Sequence, residues 1–202
     1  MKRTSTGVYG VINLEKLYRY KQSFGFFAHH LTYPQKLDFH PLLIEESFDA
    51  DHPAYEHVGR YWEQMHELSL DQIQEMYTEI FDFDKDSTLF MTYFKFEDAK
   101  ERGQMLAKLK VSYEMFGLEM PDTELSDFLP LICEFLYAAE WLGDPRGPQS
   151  FQMLIAVLED GTYHLLKSLE KKDSPYFHLV KGLRETFKVC IEQEAPVDGN
   201  GR

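Results

Sequence analysis

The sequence predicts an all-α fold, a single-domain helical bundle, on three observations. Apolar residues recur at i, i+3, i+4 and i+7 along most of the chain, the spacing of helices with one buried face. Glycine and proline number only 12 and 9 in 202 residues, and β-branched runs are scarce. Hydrophobic residues make up 44% and aromatics 15%, which suffices for one well-filled core in a chain of this length.

The elements follow in order. Leu14 to about His30 reads as a first helix, with Leu17, Tyr20, Phe24 and Phe27 on one side. "TYPQKLDFHP" breaks it, and a short helix over Leu42 to Phe48 follows. Pro53 to Leu68 forms the next, carrying Tyr61, Trp62 and Met65. Ser69 and Gln72 make a capping-box pattern that opens a helix through Met76, Tyr77, Ile80 and Phe81. "DFDKDS" ends it. A long amphipathic helix over Asp98 to Phe116 has Gly117 where a C′ residue belongs. An almost wholly apolar helix then runs from the punctuated start "ELSDFLP" to about Trp141, and "DPRGP" is a loop. The last two helices cover about 149 to 170 and 175 to 192, the second opened by Ser174-Pro175. Residues 1–192 are expected to form the domain and 193–202 a disordered tail.

Charge narrows the function classes. The net charge is −13, unevenly placed: residues 41–86 hold 13 acids against Arg60 and Lys85, while residues 1–40 are net positive. That distribution argues against phosphate-backbone binding and so against nucleic acid. It suits a basic partner, although solubility alone would also explain it. Cys133 and Cys190 each sit in an apolar stretch with no C-x-x-C spacing and read as buried, reduced thiols. The N-terminus has no apolar h-region, and no uncharged stretch approaches the roughly 18 residues of a membrane span. A soluble, intracellular protein without direct membrane insertion is expected.

Several motifs invite chemistry and fall short of it. Asp82, Asp84 and Asp86 open like a calcium loop, but Ser87 and Tyr93 hold the positions that need glycine and a bidentate acid. An acidic inter-helix loop is favoured. Glu63-Gln-Met-His66 has the spacing of one di-iron ligand pair, yet only one copy exists where two are needed. His66-Glu67 begins a zinc-protease pattern whose second histidine would fall at Leu70. No G-x-G-x-x-G, P-loop or G-x-S-x-G is present, and the His29-His30 pair has no ligand spacing with other histidines or cysteines. No catalytic or metal-ligating residue is assigned, so the chain is expected not to be an enzyme.

Two acidic patterns remain. Glu63, Glu67, Asp71, Glu75 and Glu79 recur every four residues, either as a solvated face or as a surface for a cationic partner. In "ELSDFLPLICEFL", an N-cap at Ser126 or Asp127 would place Pro130 in the first turn, where its missing N–H costs little. Phe128, Leu131, Ile132 and Phe135 would then face inward. Asp127 and Glu134, seven apart, would fall on nearly one side, about 10 Å apart by helix rise, with Glu124 just upstream. The choice is between a cap plus a solvent-reaching acid and an apolar groove rimmed by acids, suited to an amphipathic basic helix.

From Tyr77 to Leu136 the sequence resembles the nitrate reductase delta subunit, or molybdenum cofactor assembly chaperone (NarJ), family. Tyr77, Glu79 and Phe81 look like its Y-x-E-L-F block, and Arg102, Gly103 and Gln104 match its R-G-Q-A-M helix start. Glu124, Leu125, Asp127, Leu129, Pro130, Leu131 and Glu134 match its E-L-P-D-[YH]-L-P-L-x-L-E signature, with Phe128 in the aromatic place. Ser126 stands where proline is common, and Tyr93-Phe94 and Phe96-Glu97 depart from the form with Glu-His and a loop His-Gly.

The resemblance implies an all-helical cytoplasmic chaperone absent from the finished enzyme. Its partner would be the N-terminal segment of the respiratory nitrate reductase catalytic (alpha) subunit, or more widely the alpha–beta complex. It would hold no cofactor stably itself but assist insertion of the molybdenum bis-guanine-dinucleotide cofactor into the client before membrane docking. Glu124, Asp127, Phe128, Leu131, Glu134, Tyr77, Phe81, Arg102 and Gln104 are the expected client-peptide contacts. A chaperone for another molybdoenzyme and a helical di-iron carboxylate enzyme are the alternatives.

Overall fold

A computed structural model describes residues 10–96, 98–121 and 123–192 of the chain. The expected tail, 193–202, lies outside the described residues. Among the described residues there are nine α-helices and one two-stranded sheet. The helices are α1 (Leu14–Arg19), α2 (Lys21–Leu31), α3 (Pro41–Ser47), α4 (Tyr55–Met65), α5 (Leu70–Tyr77), α6 (Ala99–Met115), α7 (Leu129–Ala138), α8 (Gly147–Lys171) and α9 (Tyr176–Lys188). The all-α expectation holds, and none of these helices is long and apolar enough to cross a membrane.

Most boundaries follow local chemistry. Asp98 caps α6 by accepting from the Lys100 N–H at 2.6 Å. Ser69 and Gln72 form both halves of the capping box, and Gly117, at φ +83°, ends α6 in the left-handed conformation. The Ser174 hydroxyl accepts from the Tyr176 N–H at the start of α9.

Four features differ from the sequence reading. The first helix divides at Tyr20 (φ −97°, ψ 11°) into α1 and α2, so that α2 can turn onto α7, its main packing partner. After Tyr77 the chain makes a π turn over Thr78–Asp82, in which the Phe83 N–H reaches the Thr78 carbonyl. α7 stops at Ala138, and Trp141 is buried beyond it, with its ring 4.7 Å from that of Phe151. The sheet was not expected either. In it β1 (Val11–Ile12) pairs antiparallel with β2 (Ile191–Glu192), tying two distant parts of the chain together.

α4 packs on α9, and α8 on α9, around one apolar core that includes Phe24, Phe27, Tyr61, Tyr113, Phe135, Phe151 and Phe187. Cys133 and Cys190 are free and buried in it. "DFDKDS" proves to be a structural link: Asp84 caps a short 3₁₀ turn and meets Lys172, the residue just past α8, at 2.6 Å. The Lys172 ammonium beside Asp84 holds its carboxyl below the usual range.

The segment after that link crosses α8 at Gly161, where an added Cβ would lie 2.6 Å from the Met91 carbonyl oxygen. Gly161→Ala should therefore destabilise the fold by about 2 kcal/mol through overpacking against backbone. A urea midpoint equal to wild type would show that the crossing can yield.

Candidate functional site

The signature motif folds through a backbone pairing that the sequence did not announce. Residues 89–91 and 127–129 run antiparallel, bridged at Phe90 and Phe128. The Met91 N–H donates to the Asp127 carbonyl at 2.9 Å, and the Leu129 N–H donates to the Leu89 carbonyl at 2.8 Å. Phe128, not Ser126 or Asp127, is the N-cap of α7, and it makes no side-chain cap. None is needed for the first two positions. Leu129 spends its N–H on Leu89, and Pro130 has none to spend.

Asp127 therefore precedes the helix, and the seven-residue spacing does not bring it to the side of Glu134. Its side chain is wholly out of solvent. Asp127 Oδ2 accepts from the Thr92 N–H at 3.0 Å, the Thr92 hydroxyl at 2.5 Å and Arg102 Nη2 at 3.2 Å. Arg102 Nε donates in turn to Thr92 Oγ1 at 3.0 Å. Asp127 Oδ1 has no partner among the described residues. This cluster clamps the 89–92 segment to the starts of α6 and α7.

Two neighbours complete the clamp. The Ser126 hydroxyl donates to the Leu106 carbonyl at 2.7 Å, and the Tyr113 hydroxyl donates to the Ser126 carbonyl at 2.7 Å. Serine in place of the common proline thus supplies a side-chain tie to α6. Burial pushes the Tyr113 phenol far up, with the Asp127 charge acting in the same direction.

The other expected contacts scatter. Tyr77 and Phe81 belong to the core: their rings lie 4.8 Å apart and both meet Tyr176, and the Tyr77 hydroxyl donates to the Leu31 carbonyl at 3.0 Å. Glu124 is half-buried, and its charge adds to the burial and the Asp82 charge that raise the Tyr77 phenol. Phe128 is half-buried with its ring 5.5 Å from that of Phe90. Leu131 is buried, whereas Glu134 and Gln104 face solvent. The structure thus brings Asp127 to Arg102 and Tyr77 to Phe81, and does not gather the nine residues on one surface. Thr92 was missed, since a threonine in "LFMTYF" has no local sign of its partner 35 residues on. Glu97, one of the departures, lies outside the described residues.

The acidic series Glu63, Glu67, Asp71, Glu75 and Glu79 is exposed throughout. Glu63 and His66 both face solvent, and His66 Nδ1 bonds the Trp62 carbonyl oxygen. A di-iron pair is built facing the bundle interior, so these two do not fit one. Among the described residues no group of three or more His, Cys, Asp or Glu side chains is placed to hold a metal ion.

Residues 45–179 match the family described as nitrate reductase delta subunit. The chain belongs to that family. Within the wider group of curated proteins it is similar to the probable nitrate reductase molybdenum cofactor assembly chaperone NarJ of Bacillus subtilis (strain 168). The two are 32% identical over 146 residues, covering 68% of this chain and 76% of that one. It is 35% identical over 121 residues to the nitrate reductase molybdenum cofactor assembly chaperone NarJ of Escherichia coli (strain K12), covering 60% of this chain and 48% of that one. It is also 24% identical over 156 residues to the nitrate reductase-like protein NarX of Mycobacterium tuberculosis (strain ATCC 25618 / H37Rv), spanning 23% of that longer protein. In this member of the nitrate reductase delta subunit family, the block around Asp127 is the buried clamp just described.

Proposed function

We propose that this chain is a maturation chaperone, not an enzyme, for a respiratory nitrate reductase. It binds the N-terminal segment of the apo catalytic (alpha) subunit in the cytoplasm, or that segment within the alpha–beta complex. It keeps the client open for insertion of the molybdenum bis-guanine-dinucleotide cofactor, and it leaves before the enzyme docks at the membrane. The observation that carries this reading is the 32% identity spanning 76% of the B. subtilis assembly chaperone. The excess of acid over residues 41–86 supports a cationic client segment.

The test is calorimetric titration with a synthetic alpha-subunit N-terminal peptide, using a leader from another molybdoenzyme as control. One-to-one binding of the first, with at least about tenfold preference over the second, is the expected result. Equal binding of both would reassign the client, and absence of binding would remove the N-terminal segment as the docking element.

A further inference from the structure

α6 meets the rest of the molecule through a narrow strip. Of its 17 residues, Leu109, Ser112 and Tyr113 alone are fully buried. Among the described residues it is the one long helix that no other helix backbone runs close beside. Between α6 and α8 opens a mostly apolar groove of about 630 Å³, lined by Ala107, Val111, Met115 and Met153 among others. Val111 is 52% exposed, so an apolar helix face beside an apolar groove is left facing water.

That outward face is apolar at its centre and charged at its ends. At 100° per residue, Lys100, Ala107, Val111 and Glu114 fall within about 60° of one another, on the side away from Leu109 and Tyr113. All four are exposed. Lys100 and Glu114 stand at equal distances either side of Ala107, and the order is its own complement. Turned end for end about Ala107, the face sets Glu114 where Lys100 was and Gly103 where Val111 was. A Cβ added at Gly103 would find nothing within 4 Å, so a valine brought over it meets no obstacle. A cationic client segment does not suit this face, where Lys100, Lys108 and Lys110 outnumber Glu101 and Glu114.

We propose that a second copy of this chain covers the face, the two α6 helices packing antiparallel across a two-fold axis at Ala107. Lys100 of each copy pairs with Glu114 of the other. Val111 of each packs over Gly103 of the other, and Gln104 of each reaches the mouth of the other's groove. Closing the face withdraws both Val111 side chains and the groove walls from water, which drives the association. The contact is isologous, so it closes at two chains and does not propagate. Built from one helix and one groove, it lies at the small end of stable interfaces, so dimer and monomer exchange. The pairing holds whichever client the chain serves.

Analytical ultracentrifugation over about a hundredfold range of concentration reads the association of wild type, Val111→Glu, Lys100→Glu, Glu114→Lys and the double variant Lys100→Glu/Glu114→Lys. All three positions are exposed, and circular dichroism confirms that each variant is folded. Wild type should pass from the mass of one chain to that of two. Val111→Glu should weaken the dimer at least about tenfold. Each single charge reversal acts twice by symmetry, turning two attractions into repulsions, and should weaken it about tenfold. The double variant should return to within about threefold of wild type. The two reversals move the net charge in opposite directions, so a general charge effect cannot weaken both. Wild type at the mass of one chain throughout, or a dimer indifferent to Val111→Glu, would overturn the proposal. A double variant no better than the single ones would overturn the antiparallel register, and with it the axis at Ala107.

Discussion

Replacing Asp127 with alanine should lower the unfolding free energy by about 3 kcal/mol, the scale of breaking a buried, hydrogen-bonded ion pair. The carboxylate has no exposed surface, and its Oδ2 collects three hydrogen bonds from Thr92 and Arg102. Its removal strands the Thr92 N–H in the interior and leaves Arg102 without its partner. Asp127→Asn, which keeps the shape and an acceptor oxygen, should lose about half as much. Arg102→Ala should destabilise by a similar amount from the other side, because it leaves the buried charge with neutral donors only. In a double-mutant cycle the two losses should fall short of additivity by at least about 1 kcal/mol. Additive losses in urea titrations would mean that the pair is incidental to the clamp. Hydrogen exchange should also quicken in residues 89–92 in all three variants, since the clamp is what holds that segment.

Acid should loosen the protein well before its carboxylates titrate. Burial pulls the His30 imidazole down to about 3 and the His52 imidazole to about 4, and His57 and His178 are lowered by burial as well. A base whose folded value lies below its unfolded value of about 6.5 takes up protons first in the unfolded chain. Its stabilising contribution is complete above that value and is lost as pH falls toward the folded value. Between pH 7.5 and pH 5, His30 alone should remove about 2 kcal/mol, and His52, less deeply enclosed and more screened by solvent, adds a smaller loss in the same direction. Asp144, held at about 2 by the Arg146 guanidinium, contributes nothing in that window. Urea midpoints at the two pH values measure the loss, and His30→Gln, which cannot take up the proton, should flatten the profile by about 2 kcal/mol. An unchanged pH slope in that variant would show that His30 is hydrated in the folded protein.

The helical content was legible because each helix writes its buried face at a spacing of three and four, and Ser69, Asp98 and Gly117 mark their ends locally. Membership of the family was legible for the same reason, since its motifs are contiguous. The site was not. Asp127 reads as a helix cap in sequence because Pro130 follows it, but its surroundings are decided by Leu89 to Thr92, a segment with no helical period and no turn signal. The division at Tyr20 and the pairing of residues 11–12 with 191–192 also depend on distant partners. His29 and His30 were passed over as lacking ligand spacing, because their contacts with Asp38 and Tyr61 exist only once the chain has doubled back.

The small sheet has a consequence for how the molecule is made. Asn13, which opens α1, donates from its backbone N–H to the Cys190 carbonyl and from its side chain to Glu192, 179 positions later. At ribosomal speeds of about 5–20 residues per second, those partners arrive roughly ten seconds or more after Asn13 leaves the tunnel. During that interval the Leu17 side chain, fully enclosed in the finished fold, has no completed enclosure to enter. A protein proposed to guard another chain's unfinished segment thus passes through part of its own synthesis with the stretch around Asn13 unsealed, until residues 179 positions further on are made.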